Sequence, residues 1–367
     1  VTSVSAGDFY TMNFSDHDAA PFRSQTLSFD RQGFEVSAVV QAVLAVNPDA
    51  QKVILVAHSM GGLAAREYLQ GLARLNAAAA PVPYRGDVAQ LIVIATPHQG
   101  SPLGTSCLAF AAVCVSVGVN PTSVAVVELV PGSPALTALN DLGARPLPAD
   151  VRYESIAGLG GVGPASDGDG IVTRASQEFL AGVPGLGHRL QELIIPLRAD
   201  CGHVVTIGNA VVFREVHTCE TGDPGALVAA VDAILQPRLT LTVNTSTISV
   251  GDTLTLTLGT EPGFPDQENV GDLYVALLVP GGDVYVLTAG GFSLAFHGGV
   301  VVPGALQPFR SSTIVSSGTE MILSAPIVTT IPAGPYTFAA VLVSPGTTPA
   351  DAGNWLSNLA TVSSTFK

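Results

Sequence analysis

Lys52-Val53-Ile54-Leu55-Val56-Ala57, then His58-Ser59-Met60-Gly61-Gly62, then Leu63-Ala64-Ala65-Arg66-Glu67-Tyr68-Leu69 is the stretch whose reading decides the fold. A β-branched apolar run reads as a buried strand, a small-residue turn follows with one serine at its apex, and helical spacing begins at once. This order predicts a nucleophile elbow. A strained strand-to-helix turn projects the Ser59 hydroxyl above the sheet, and small residues two before and two after it, Ala57 and Gly61, avoid collision. The free N–H groups at the start of the helix face a developing oxyanion, with that of Met60 nearest. Ser59 is therefore the candidate nucleophile, against the plainer reading of a tight structural turn.

Outward from the elbow, Phe9 to Phe14 reads as a strand and Phe34 to Val46 as a helix ended by Asn47-Pro48. The loop between them contains Asp16-His17-Asp18, whose adjacent side chains diverge on an extended chain, so a solvated loop is expected there and not a metal site. Val88 to Ala95 reads as the next buried strand, and Ser101 to Asp150 as an apolar, lid-like excursion. Tyr153 to Gly158 is a further strand, Leu193 to Leu197 the last of the sheet, and Gly225 to Leu235 a closing helix. Strands alternating with helices imply an α/β fold with a mostly parallel sheet.

Beyond Pro237 the chain turns to Thr, Val, Leu and Ser with turns at short intervals, among them Val250-Gly251-Asp252 and Pro280-Gly281-Gly282-Asp283. Residues 237–367 are thus expected to form an all-β sandwich of roughly seven strands, immunoglobulin-like in size. The absence of a Cys pair from this region and the late position of Trp355 argue against an antibody-type domain. Residues 1–236 are the expected catalytic domain, with the lid-like segment at about 101–150.

The motifs His58-Ser59-Met60-Gly61-Gly62 and Ile94-Ala95-Thr96-Pro97-His98-Gln99-Gly100-Ser101-Pro102, in this order, resemble those of the α/β-hydrolase lipases, both bacterial triacylglycerol lipases and the esterases similar to inositol deacylases. Ala57 stands where most of those families carry Gly. The resemblance implies an α/β-hydrolase sheet and a Ser-His-Asp serine hydrolase that acts on lipid or other hydrophobic esters and needs no cofactor. His58 and His98 are then site-lining residues, with a satisfied structural histidine as the plainer reading of His98. A calcium site some related lipases build from an Asp two residues after the triad histidine is not expected, because Val205 stands there.

In this fold the acid and then the histidine follow the serine in chain order. The Gly-rich loop from Gly158 to Gly170 offers Asp167 and Asp169. Asp169-Gly170-Ile171-Val172 resembles the stretch in which lipases keep their acid, which favours Asp169, with Asp167 as second choice. His188 precedes the expected last strand and belongs at the wrong end of the sheet. His203 follows that strand directly and is the expected base, with His217 as second choice.

Cys107, Cys114, Cys201 and Cys219 suggest two local disulfide pairs, although the sequence alone allows three connectivities. No zinc-like spacing with histidine is present. Disulfides point to a secreted or cell-surface protein. A net charge of −14, with only 15 Lys and Arg, argues against nucleic acid and anionic membranes as partners. The longest apolar run, around Cys107 to Val119, is too short to span a bilayer, so no transmembrane segment is expected. No basic-then-apolar leader opens the chain and Val1 is not an initiator, so a processed or partial chain is expected. The sheet is expected to lack its first strands, and with them the loop that gives the second oxyanion donor. Two other functions fit the same residues: an acyltransferase with the same triad, and a surface or binding protein whose hydrolase domain has decayed.

Overall fold

The computed structural model describes residues 4–12, 14, 26–109, 114, 120–183, 186, 188–263, 269–298, 300–328, 331–351, 354–357 and 359–367. The Asp16-His17-Asp18 loop and most of the apolar run from Cys107 to Val119 lie outside these residues. The chain divides into two compact units, Val1–Val231 and Asp232–Lys367.

In the first unit the described sheet is wholly parallel, in the order β1 (Val53–His58), β2 (Val88–Ile94), β3 (Arg152–Leu159), β4 (Arg189–Ile194). Its two inner strands are apolar and buried, as both faces of a covered parallel sheet require. β1, which leads into the elbow, is an edge of the described sheet, and Val56 on it is half exposed. Phe9 to Met12 form no strand, contrary to expectation. β4 starts four residues before the apolar run that suggested it and ends at Ile194, two residues short of Pro196, which cannot donate to a ladder. Its polar side chains instead meet β3, where the Gln191 amide donates to Glu154 Oε1 at 3.1 Å.

Helix α1 (Phe29–Val46) buries Phe29, Gly33, Val36, Val40 and Val43, a stripe at helical spacing, against α2 (Met60–Leu69). Gly33 permits the approach, since a Cβ there would lie 2.5 Å from that of Glu67. Helices α3 (Pro102–Ala109), α4 (Val124–Glu128) and α5 (Pro134–Asn140) occupy the expected lid segment. Ala125, Leu136 and Leu139 pack with Phe29, Leu63 and Leu72 in one cluster, so the 124–140 part of that segment is core.

After a short helix α6 (Arg174–Gln177) and β4, the chain enters an antiparallel hairpin of β5 (His203–Ile207) and β6 (Ala210–Glu215). A 3₁₀ turn (His217–Gly222) and helix α7 (Pro224–Leu235) follow. Cys107 is bonded to Cys114 and Cys201 to Cys219, the two local pairs. Among the described residues no helix is long and apolar enough to cross a membrane.

The second unit is β-rich and almost wholly antiparallel, with an eight-stranded and a three-stranded sheet in place of roughly seven strands. In the strand Thr253–Glu261, Leu254, Leu256 and Leu258 are buried while the threonines between them are not, the alternation of a strand with one face on a core. They join Leu239, Val275, Phe338 and Leu342 in that core.

Candidate active site

The elbow forms as its sequence requires. Ser59 sits at φ 53°, ψ −129°, a left-handed conformation that costs a serine about 1–3 kcal/mol. Three bonds hold it there: its N–H donates to the Ile94 carbonyl at 2.9 Å, and its own carbonyl accepts from the Gly62 N–H at 3.1 Å and the Thr96 hydroxyl at 3.0 Å. The steric demand falls on Gly62 more than on Gly61. A Cβ at 62 would lie 2.1 Å from Thr96 Oγ1, whereas one at 61 would make an ordinary 3.7 Å contact with Ala57. Met60 begins α2 beside the serine.

His217, not His203, faces Ser59. His217 Nε2 lies 2.8 Å from Ser59 Oγ, and its Nδ1 lies 2.8 Å from Asp169 Oδ2. With Nδ1–H donating to the carboxylate, Nε2 is left to accept the serine proton. Asp169 is fully buried and has three further donors: the Ile171 and Val172 N–H groups on Oδ1 at 2.8 and 2.7 Å, and the Gln177 amide on Oδ2 at 3.2 Å. The Val216 N–H donates to the Asp169 carbonyl at 2.8 Å, which ties the Asp169 loop to the residue before His217. Gly170, at φ 94°, makes this possible, because a Cβ would strike the Arg214 carbonyl at 2.1 Å. Burial works to lower the His217 pKa, but the Asp169 charge and hydrogen bond override it and the net shift is upward.

His203 starts β5, pairs in register with Glu215 across the hairpin, and its Nδ1 bonds that carboxylate. Its place directly after the expected last strand points to it in the sequence, but the hairpin intervenes and returns the chain to the sheet only at His217. The signal was present: Val204 to Ile207 and Ala210 to Phe213 are β-rich runs around Gly208-Asn209, a two-residue hairpin cue. Asp167 is an exposed residue of the Gly-rich loop.

His58 does border the site, its ring 4.7 Å from that of His217 and its Nε2 3.1 Å from both the His217 carbonyl and Glu220 Oε2. Burial and the neighbouring His217 push it down to about 3, so it is neutral. His98 lines nothing accessible, being fully buried beside the equally buried Arg66, whose guanidinium lies 3.1 Å from His98 Nδ1 and also donates to the Leu139 carbonyl at 2.6 Å. His58, His217 and Glu220 offer three ligand atoms within 4.8 Å of one another, the one such group among the described residues. Both His217 nitrogens are already committed to Ser59 and Asp169, so a cation could enter only by dismantling that chain of bonds.

A serine held at positive φ between a parallel strand and a helix, over a sheet of this order, gives the first unit an α/β-hydrolase-like fold. Residues 3–113 match the family model of the PGAP1-like alpha/beta domain. None of the curated proteins compared with the chain matches it. Among solved structures, the chain is similar to the lipase BlEst2 of Bacillus licheniformis. In the propeptide form the identity is 15%, over 92% of this chain and 83% of that one, with a TM-score of 0.36. In the mature form it is 19%, over 45% and 66%, with a TM-score of 0.34. The phospholipase PlaB of Legionella pneumophila, in complex with thio-NAD, is 12% identical over 95% of this chain and 80% of that one, with a TM-score of 0.35. The two disulfides fit an extracytoplasmic location.

Proposed function

We propose that the protein is an exported serine hydrolase of carboxylic esters, with Ser59 as nucleophile, His217 as general base and acid, and Asp169 as its orienting carboxylate. The unbroken line of two 2.8 Å hydrogen bonds from Ser59 Oγ through His217 to Asp169 carries this reading. Ser59 Oγ attacks the ester carbonyl as His217 Nε2 takes its proton, and the Met60 N–H donates to the oxyanion. The tetrahedral intermediate expels the alcohol, which leaves with the proton from His217, and an acyl-Ser59 remains. Water, deprotonated by the same nitrogen, releases the acid and restores the serine. Hydrophobic acyl groups are the expected substrates, on the strength of the likeness of His58-Ser59-Met60-Gly61-Gly62 and of Ile94 to Pro102 to the motifs of lipases.

A fluorophosphonate probe should label Ser59 in the unmodified protein and leave Ser59→Ala unlabelled. With p-nitrophenyl esters of rising chain length, kcat/KM should climb into the medium or long acyl range, each buried methylene contributing about 0.8 kcal/mol. A failure to label Ser59 removes the mechanism, and a strict preference for acetate removes the lipid-ester substrate class.

A further inference from the structure

Glu220 takes no part in the mechanism above, yet it is fully buried at its centre, three residues beyond His217 in the same 3₁₀ turn. Its Oε2 lies 3.1 Å from His58 Nε2 and 3.6 Å from His217 Nδ1, the same nitrogen that Asp169 Oδ2 approaches to 2.8 Å. Two carboxylates that converge on one imidazole nitrogen, both out of water, resist being ionised together, so one proton between them is the stable arrangement.

The donor count decides which group carries the charge. Asp169 receives four N–H bonds, from Ile171, Val172, Gln177 and His217. Glu220 has the His58 Nε2–H alone on Oε2, shared with the His217 carbonyl, and its buried Oε1 has no partner. An ionised carboxylate on the Glu220 side would be starved of donors, whereas one on Asp169 is saturated. The other groups facing Glu220 bring no cation: His58 on β1 is neutral, and Glu215 on β6 is a further carboxylate that disfavours a second negative charge. Burial first, and Asp169 next, push Glu220 well above the usual carboxyl range.

The fold also gives up a side chain to seat this acid. A Cβ on Gly158 in β3 would fall 1.8 Å from Glu220 Oε1 and 2.7 Å from its carboxyl carbon. Gly158 is in turn clamped by Gln177, whose Oε1 accepts from the Gly158 N–H at 2.7 Å and whose Nε2 donates to the Gly158 carbonyl at 3.0 Å as well as to Asp169. The glycine, the clamp and the acid thus form one unit behind the base.

We propose that Glu220 is a positioning residue of the site, a carboxylic acid that keeps its proton and donates it to Asp169, so that the buried pair's one negative charge stays on the carboxylate facing His217. The proposal rests on the esterase reading. Its chemical value lies in the proton that His217 borrows: a second anion 3.6 Å from Nδ1 would hold that proton too firmly for delivery to the leaving alcohol. As pH rises far enough to ionise Glu220, the pair repels and activity falls.

The test compares the unmodified protein with Glu220→Gln and Glu220→Ala, reading kcat and KM for a soluble p-nitrophenyl ester across pH. Glutamine keeps a donor for Asp169 and an acceptor for His58 but cannot ionise. It should stay within about threefold of the parent at neutral pH and move the alkaline limb up by about one pH unit or more, while alanine loses about tenfold or more in kcat with KM little changed. The infrared difference between the parent and Glu220→Gln should contain the band of a protonated carboxyl at neutral pH, and subtraction removes any contribution from other buried acids. That band is read without turnover and should persist in the Ser59→Ala background. If it is found in a protein that hydrolyses no ester, the esterase reading fails while the protonated pair stands. Absence of the band, an unmoved alkaline limb in Glu220→Gln, or a Glu220→Gln loss as deep as that of Glu220→Ala overturns the proposal. Should Glu220→Ala fail to fold, the glutamine variant and the infrared band decide alone.

Discussion

One hairpin carries a histidine at each end, and the two ends differ in what surrounds a similar pair. His203 and His217 both set Nδ1 against a buried carboxylate, Glu215 in the first case and Asp169 in the second. The His203 side chain is 49% exposed and that of His217 only 8%, so water screens the first pair and not the second. Glu215 spends its remaining acceptor capacity on the N–H and hydroxyl of Thr218, at 3.1 and 3.0 Å, and so braces the turn. Asp169 spends its own on the Ile171 and Val172 N–H groups and the Gln177 amide, and so is fixed as an orienter. A His–carboxylate pair can act as a base only through its other nitrogen, and of these two histidines only His217 has a serine hydroxyl there.

The largest expected effect is at the buried end. His217→Ala should lower kcat by about 10⁴-fold with the protein still folded, measured on a soluble ester beside circular dichroism. If it kept more than about a tenth of the parent rate, the comparison would collapse. Asp169→Asn should cost about 10³-fold and also alter the pH profile. The Asp169 charge raises the His217 pKa, so the parent's rate should fall on acidification through a value above the ordinary histidine range. Without that charge, burial is opposed only by the lesser pull of Glu215 and the limb should shift to lower pH. An acid limb that stays in place in Asp169→Asn would assign it to another group.

Opening the Cys201–Cys219 bridge acts on both ends together. It spans 18 residues of sequence, and closing a loop of that size stabilises by about 3 kcal/mol. Replacing both cysteines with serine should lower the melting temperature and reduce kcat by about tenfold, because His217 lies inside the loop. Unchanged thermal stability would show that Ile195 and Val216, which pack on the bridge, suffice without it. The smallest effect belongs to His203→Ala, at most about threefold in kcat and about 1 kcal/mol in stability by thermal melting. A loss comparable to that of His217→Ala would reverse the assignment.

The elbow was legible because each of its parts is local: strand residues, small turn residues and helical spacing follow one another within Lys52 to Leu69. Asp169 was legible through Asp-Gly-Ile-Val, whose N–H groups at Ile171 and Val172 do hold the carboxylate. The proposed base was not, because Leu193 to Leu197 has the apolar character of a last strand and so points to His203, the first histidine after it. The strand lies earlier, and Val204 to Phe213 is a hairpin that moves the return point to His217. Glu220 was beyond reach altogether, since its environment depends on Gly158 and Asp169, both more than 50 positions away and joined to it only by folding. In the second unit the alternation of Thr253 to Leu258 was readable, while two-residue strands such as Thr247–Ile248 are too short to show a period.

The bridge between Cys201 and Cys219 also makes the hairpin a closed covalent ring with an exposed tip at Gly208-Asn209. A protease that cuts the tip divides the polypeptide between Ser59 and His217, yet the two fragments stay joined through sulfur, and the strand leading to His217 keeps its partners. Such a nicked molecule should migrate as one band on a non-reducing gel, separate into two once reduced, and retain its esterase activity until the reductant is added.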